Sequence, residues 1–511
     1  MSVLQIFRKL AAIPVLGCLA LALVPHSSAT AQQVSGDRVS CASEPGSGRT
    51  NCRADTSAGV VLLRSRGASA CLLGKSWGYE DKLIWVADGC SADFLAGQLG
   101  DQGEVKAATS APASDYVPNA GFKLYDGENG QIYMRLFTYV RYLNQDGLDA
   151  SYTDYFGNTK TVDKREDVQL NKFFLPFSGW FLTPKMRYYL YVWSSNPSQG
   201  EPAQVVGGGN ISYIFNRFVT LGGGITSLPS TRSTEGQFPY WLGVDDRLIA
   251  DEFFRGSYTS GLWLKGELTT TLKYMVMIGN NLSTLGVSAA RMNAKLDTVS
   301  SSLQWLPTTG EFGLYGTFGD FDYHETIATR VGLHYTQSTE DRQSQPGTND
   351  VENTQIRLTD GTLVFTDNIF GAGVSVNEVD YAMTSLDAGV KYKGMSLEGE
   401  YYWRTLSNFK GANSTSLSLP NIDDHGYQIQ ASAMAVKDLI QVYAGHSGIR
   451  GHYGDSNEYR LGVNYYPMRM RGIRVNAEWM NLEKSPVGYT AVPYPVGGNG
   501  NLFHLNAELN F

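Results

Sequence analysis

Over most of the chain, charged side chains recur at every second position of extended runs. Arg135 and Arg141 alternate with Met134, Val140 and Tyr142. Asp387, Lys391 and Lys393 alternate with Leu386, Ala388, Val390 and Tyr392, and Arg474 and Glu478 with Val475, Ala477 and Trp479. Successive strand side chains point to opposite faces, so such runs have one apolar and one charged face. A charge at alternate positions suits a water-filled lumen and fits a dry sandwich core poorly. The chemistry this implies is electrostatic, because charged lining sets ion preference in pores. By alternation the wet face gains Arg135, Arg141, Arg187, Lys265, Lys273, Arg330, Lys391, Lys393, Arg404, Arg460 and Arg474. Against them stand Glu267, Asp387, Glu398, Glu400, Glu478 and Glu508, so eleven minus six leaves a basic excess of about five that depends on register. The ordinary role of any one lumen arginine is an ion pair with a carboxylate on a neighbouring strand.

Other reactive-looking groups carry less. Asp423-Asp424-His425 and His446-Ser447 resemble fragments of a hydrolase, but adjacent strand side chains face opposite ways and no third partner is matched. Asp245, Asp246, Asp251 and Glu252 lack the spaced ligand pattern of a calcium loop. Gly207-Gly208-Gly209 and Gly222-Gly223-Gly224 lack the Lys-Ser or Lys-Thr of a phosphate loop, and instead relieve crowding or allow strand curvature. Histidines are few and scattered, so neither a metal nor a cofactor is expected. A net charge of −8 without a basic block argues against nucleic acid.

The elements that must position the charges are strands. The last run, Asn501 to Phe511, sets Phe503, Leu505, Ala507, Leu509 and Phe511 against His504, Asn506, Glu508 and Asn510. Similar runs are expected near 130–143, 166–181, 186–195, 208–215, 218–226, 259–269, 271–280, 296–305, 327–336, 383–393, 395–404, 425–436, 438–448, 456–467, 472–482 and 501–511. The fold class is therefore all-β, a transmembrane antiparallel barrel of about sixteen strands, an even number. With an upward first strand, odd gaps should be long outer loops and even gaps short periplasmic turns. The gap 306–326 is the exception, and two strands there would make eighteen. The third outer loop, about 227–258, carries Arg232, Glu235, Phe238, Pro239, Tyr240, Trp241, Asp245, Asp246, Arg247, Asp251, Glu252 and Arg255, whose length and aromatic content fit a packed plug. Its charge is three minus five, or −2, counting Arg232, Arg247 and Arg255 against Glu235, Asp245, Asp246, Asp251 and Glu252. With the basic walls opposite, it creates a transverse field and a weak anion preference.

At 511 residues the chain exceeds one ordinary domain, and a mean hydropathy of −0.22 is too polar for a bundle of membrane helices. Residues 1–31 carry Arg8 and Lys9, an apolar stretch from Leu10 to Val24, and Ala29-Thr30-Ala31, the parts of a secretory signal cut after Ala31. Lipidation at Cys18 is the weaker alternative. Cys41, Cys52, Cys71 and Cys90 remain, which reads as two disulfides stapling a periplasmic β-domain at 38–96. Three pairings are open, with Cys41–Cys52 and Cys71–Cys90 favoured because each would close a local hairpin. Trp77, Tyr79 and Trp85 either stack glycan, anchoring the module to peptidoglycan, or fill its core, the commoner role. Residues 97–119 read as a flexible linker before a barrel at 120–511.

Two resemblances add expectations. The cysteine pattern with Ser76-Trp77-Gly78-Tyr79, Ile84-Trp85-Val86 and Gly89-Cys90-Ser91-Ala92-Asp93-Phe94 resembles a small exported bacterial domain family of unknown function. Gly121-Phe122-Lys123-Leu124, Trp305-Leu306-Pro307, Gly319-Asp320-Phe321-Asp322-Tyr323-His324, Gly389-Val390-Lys391-Tyr392, Glu398-Gly399-Glu400-Tyr401-Tyr402 and the terminal Phe511 resemble the phosphate-selective porins. That resemblance implies a homotrimeric sixteen-stranded channel in the bacterial outer membrane, embedded in lipid and lipopolysaccharide, whose third loop folds into the pore. Phosphate selectivity itself does not carry over, because this third loop has the wrong sign. The expected function is passive diffusion of small hydrophilic, anionic solutes without covalent chemistry. The alternative is an envelope-anchoring barrel that serves as a foot for the cysteine module.

Overall fold

A computed structural model describes residues 37–511 except 57–59, 67–68, 70, 81, 97–115, 118–119, 196–203, 236–239, 286, 293–294, 314–315, 347–354, 415–419 and 490. The signal segment and nearly all of the linker lie outside the described residues. Among the described residues no helix is long and apolar enough to cross a membrane.

Sixteen antiparallel strands close a barrel: β1 (Phe137–Asn144), β2 (Glu166–Phe181), β3 (Thr183–Ser195), β4 (Gln204–Asn216), β5 (Val219–Ser227), β6 (Tyr258–Glu267), β7 (Leu272–Gly279), β8 (Thr298–Trp305), β9 (Ala328–Asp341), β10 (Glu378–Tyr392), β11 (Met395–Lys410), β12 (Ile422–Val436), β13 (Ile440–Arg450), β14 (Ser456–Tyr465), β15 (Ile473–Glu483) and β16 (Gly500–Asn510). The seam joins β16 to β1 from Phe137↔Asn510 to Asn144↔Phe503. Closure leaves no unpaired sheet edge. The first expected run is two pieces. Gly130–Met134 pairs with the end of β2, β1 pairs with its beginning, and a register shift falls between Phe137 and Tyr139. The long gap after β8 adds no strand among its described residues, so the barrel has sixteen and not eighteen.

Alternation separates the faces as the pattern demands. On β16, Phe503, Leu505 and Leu509 stand exposed on the outside while His504, Asn506 and Glu508 are buried within. On β10, Leu386 and Val390 face out and Asp387 and Lys391 face in. Lys393 does not follow its neighbours: it sits with φ +47° in the two-residue turn Lys393-Gly394, exposed, its ammonium 5.1 Å from the Tyr392 ring. Expecting it in the lumen extended the alternation one residue past the strand, into a left-handed turn position.

The glycine triplets have a specific use. Gly208 lies directly opposite Tyr191, and Gly222 directly opposite Trp263. A Cβ on Gly208 would come within 2.7 Å of the Tyr191 ring, and one on Gly222 within 2.3 Å of the indole. Each ring therefore lies across the glycine of its neighbouring strand, an arrangement that restores packing where the glycine has no side chain.

The cysteine module consists of two three-stranded sheets. Asp37–Ala42, Ser91–Ala96 and Val60–Ser65 form one, and Thr50–Arg53, Leu83–Val86 and Trp77–Glu80 the other. Its disulfides are Cys41–Cys52 and Cys71–Cys90. The pairing is the favoured one, but the reason differs: Cys41 and Cys52 lie in different sheets, so their bond staples one to the other instead of closing a hairpin. Trp77 packs on Phe94 with ring centroids 4.8 Å apart, and Trp85 is buried beneath Arg49. Both tryptophans are core, and Tyr79 alone of the expected trio is exposed. Asp93 is fully buried and takes Ser40, Arg38, Arg64 and Arg66. Burial alone would raise its pKa, but the Ser40 hydrogen bond and the arginines hold it below the usual carboxylate value.

Gly222→Val should lower barrel stability by about 1–3 kcal/mol through overpacking against Trp263. Gly223→Ala, whose added carbon would meet the Leu262 side chain at 3.0 Å, should cost less. Gel mobility of the folded form against temperature measures both, and equal midpoints for G222V and the parent chain would contradict the packing role.

Candidate functional site

The third loop, residues 228–257, folds into the lumen. It carries a short helix, α1 (Ile249–Phe254), and its charged residues Arg232, Asp245, Asp246, Arg247, Asp251, Glu252 and Arg255 are all buried. Phe238 and Pro239 lie outside the described residues. Charges in such a place require partners. Within the loop, Arg247 reaches Glu252 at 2.9 Å and stacks 3.9 Å over Trp241, Arg255 reaches Glu252 at 2.7 Å, and Thr231 donates to Asp251 at 3.0 Å. The remaining loop charges bind the wall. Arg232 meets Glu398 at 2.7 Å, Asp246 meets Arg460 at 3.0 Å, and Asp245 meets Lys172 at 2.7 Å.

Most of the expected wall charges are engaged here. Arg330 pairs with Asp387 at 2.7 Å and with Glu235 of the loop. Arg404 pairs with Asp424, Arg474 with Glu508, and Arg460 with Glu458. Arg474 also donates to the loop carbonyl of Trp241 at 2.9 Å, and Arg141 to that of Val244 at 2.7 Å. Glu400 accepts from the Arg232 backbone amide at 2.9 Å and from Ser385 at 2.7 Å. Lys391 donates to the Phe312 carbonyl at 2.9 Å. That carbonyl belongs to the long gap after β8, which folds inward from the short-turn end and also accepts from Arg232 through Gly316 at 2.6 Å.

The other half of the lumen is open. A cavity of about 920 Å³ lies between the loop and the wall of β2 to β8. Lys172, Tyr189, Tyr191, Trp263, Lys265 and Lys273 line it, as does Arg135, which is held by Asn510 at 2.7 Å and by Tyr240. Arg187 shares the lumen-facing parity of Tyr189 and Tyr191 on β3 but does not line this cavity. The lining acids each have a basic neighbour: Glu235 has Arg330, Asp245 has Lys172, and Glu267 has Lys273 at 4.0 Å. Lys265 and Arg217 line the same cavity with no carboxylate in ion-pair range among the described residues. At its short-turn end the cavity meets Val60, Leu73 and Tyr79 of the cysteine module. The module touches the rim there: Arg64 donates to the Asp322 carbonyl at 3.1 Å, and the positions of Gly74 and Gly310 adjoin Arg217 and Leu72.

Sequence reasoning missed Lys172 and Arg217 as members of the cavity lining, and His334, Asp424 and Glu458 as buried partners of the lumen charges. Asp424, which falls just before the expected run at 425–436, sits on β12 beside Arg404. His425 and His446 face outward, stacked on Tyr401 and Tyr459, while Ser447 faces in and donates to Glu458 at 3.0 Å. These residues therefore form no nucleophile and base pair.

Asp246, Glu478 and His504 bring possible metal-ligand atoms within 4.8 Å of one another. Their surroundings do not fit a metal. Arg141 donates to Asn506 Oδ1 at 2.9 Å, which turns the Asn506 amide to donate to His504 Nδ1 at 2.8 Å. A neutral ring that accepts at Nδ1 keeps its proton on Nε2, the atom facing the carboxylates, whereas a metal-bound histidine donates from its other nitrogen. The Arg460 guanidinium, 3.0 Å from Asp246 and 3.3 Å from Glu478, already neutralises the group.

A closed sixteen-stranded barrel with an apolar exterior, a charged lumen and an inward third loop is the class these features define. A family model described as a protein of unknown function (DUF3011) matches residues 38–117. No curated protein matches the chain. Among solved structures the chain is similar to OmpT, an outer membrane protein of Vibrio cholerae, in its trimer form, at 13% identity over 75% of this chain and 100% of that one, with a TM-score of 0.46. It is also similar to the anion-selective porin of Comamonas acidovorans, at 10% identity over 75% and 100% of the two chains, TM-score 0.45. The outer membrane channel DcaP of Acinetobacter baumannii gives 8% identity, 75% and 98% coverage, and a TM-score of 0.44.

Arg460→Met should cost about 3–5 kcal/mol, because Asp246, Glu458 and Glu478 would face one another uncompensated. Adding Glu478→Gln should recover part of that loss in urea unfolding, and no recovery would show that the loss is one of packing. A second expectation concerns His324, in the segment after β8, whose Nε2 lies 3.0 Å from Glu311 and whose Nδ1 meets Asp320. Burial pushes its pKa down, but the two carboxylates outweigh burial and raise it from 6.5 to about 10. The raised value belongs to the folded state, so the stabilisation is full below pH 6.5 and is lost as pH rises through about 10. Unfolding midpoints between pH 6 and 11 should fall for the parent chain, and His324→Gln should flatten that fall.

Proposed function

We propose that the chain is a passive diffusion channel of the bacterial outer membrane with a weak preference for small hydrophilic anions, phosphate among them. The observation that carries this reading is the charge left over in the open half of the lumen. Among the described residues every acid lining the cavity has a basic neighbour, while Lys265 and Arg217 have no acidic one. A lumen is selective through the charge it leaves uncompensated, so this wall attracts anions. The outer faces of β10 and β16, with exposed Leu386, Val390, Phe503, Leu505 and Leu509, support a lipid environment, including lipopolysaccharide in the outer leaflet. In this reading the short turns and the cysteine module face the periplasm, and three copies assemble as the resemblance implies.

The envelope-anchoring alternative draws on the same module. Peptidoglycan binding through stacked tryptophans is disfavoured, because Trp77 and Trp85 are buried.

In planar bilayers under a salt gradient, the full chain should give a reversal potential on the anion side. Lys265→Glu should lower the anion-to-cation permeability ratio on the order of severalfold. Clear cation preference in the parent chain would overturn the selectivity. Absence of conductance both with and without residues 32–119 would overturn the channel and favour the anchor.

A further inference from the structure

We infer that the barrel and the cysteine module together build a solute-binding chamber for a small organic acid with a flat, apolar ring face. This deepens the channel reading and rests on it. The first support is shape. The cavity of about 920 Å³ is bounded by the third loop, by the wall of β2 to β8, and at its short-turn end by Val60, Leu73 and Tyr79 of the module. That volume falls within the roughly 300–1,000 Å³ of small-molecule sites, and a chamber with a floor holds a solute longer than a plain tube does.

The second support is the character of the wall. Tyr189 and Tyr191 stand two residues apart on the lumen face of β3, and Trp263 faces the same space from β6. The Tyr191 and Trp263 rings, only 7% and 4% exposed, lie across Gly208 and Gly222 and form the packed back of this wall, so the ring surface it opens to a solute is that of the half-buried Tyr189. Tyr79 adds a further ring from the module, 42% exposed. Rings of this kind stack on flat solutes.

The third support is the position of the free charge. Lys265 follows Trp263 by two residues on one strand face, about 7 Å along the strand. It has no carboxylate in ion-pair range among the described residues, whereas Lys172 is held by Asp245 and Lys273 lies near Glu267. Lys265 lies near the short-turn end of β6, the end that the exposed Tyr79 closes, so a ring stacked on Tyr79 brings an attached carboxylate toward Lys265. Aromatic acids and sugar acids share this chemistry.

The experiment measures blockade of ion current through the full-length protein in planar bilayers. The probes are 4-hydroxybenzoate, glucuronate, acetate and phenol at equal concentration. Saturable blockade is expected from one or both ring acids, with acetate and phenol each about tenfold weaker. Hydroxybenzoate alone would assign an aromatic acid, and glucuronate alone a sugar acid. Lys265→Met should reduce the active acid to the level of phenol, and Tyr79→Ala should weaken it severalfold while leaving the open current intact. All four cysteines of residues 32–511 lie in the module, so a reductant acts on the module and spares the barrel. Reduction should likewise weaken blockade by removing the floor. Equal blockade by acetate and the ring acids, or blockade unchanged by both Lys265→Met and reduction, overturns the chamber. Normal currents without saturable blockade overturn the chamber alone, whereas absence of current with or without the module overturns the channel.

Discussion

Charge compensation inside the barrel is the constraint on which the rest depends. A buried ion costs several kcal/mol unless it is paired, so the third loop can enter the lumen only where the wall offers matching charge. It does so chiefly on one side. Arg232 with Glu398, Asp246 with Arg460, and Glu235 with Arg330 tie the loop to β9 through β14, and Arg474 holds loop carbonyls from β15. The segment after β8 joins that side from the opposite end through Lys391 and Arg232. The opposite wall carries fewer charges and more rings and holds the loop only through Lys172 and Asp245, so the lumen stays open there. The asymmetry of the pore thus follows from which strands carry the buried carboxylates.

A second device recurs through the molecule. An aromatic ring lies across a glycine placed directly opposite it on the neighbouring strand: Tyr191 on Gly208, Trp263 on Gly222, Tyr443 on Gly462, and Trp85 on Gly78 in the module. A large side chain pointing into a crowded interior would otherwise collide with the next Cβ. The glycine lets it lie along the wall, which fills space without blocking the centre.

The barrel was legible in the sequence because period-two alternation is local, and each run declares its two faces without knowing its partner. All sixteen runs have a strand counterpart, and several strands reach beyond the apolar belt, as β9 does to Asp341 and β11 to Lys410. Partnership was less legible. Asp424 fell just before an expected run with nothing near it in sequence to announce Arg404, and Lys172 gave no sign that it would reach Asp245 seventy-three residues away. Lys393 shows the converse, where a sound local pattern was carried one residue into a turn. The Cys41–Cys52 bond was found through spacing, while its purpose, joining two sheets, depends on Ser91–Ala96 and Leu83–Val86 pairing with distant strands.

The same distinction governs how selectivity is read from such a chain. Counting lumen charges by alternation gives an excess of about five basic groups, and that sum treats Arg460 and Lys265 alike. They are not alike. Arg460 sits among Asp246, Glu458 and Glu478, and its field is cancelled within a few ångströms. Lys265 has no such partner among the described residues, and its charge faces the space a solute would occupy. Screening and pairing remove most of the counted charge from what an ion in the lumen feels. In the proposed channel the preference would therefore follow from a small uncompensated set, Lys265 and Arg217 foremost, which only the three-dimensional pairing separates from the larger set that holds the loop in place.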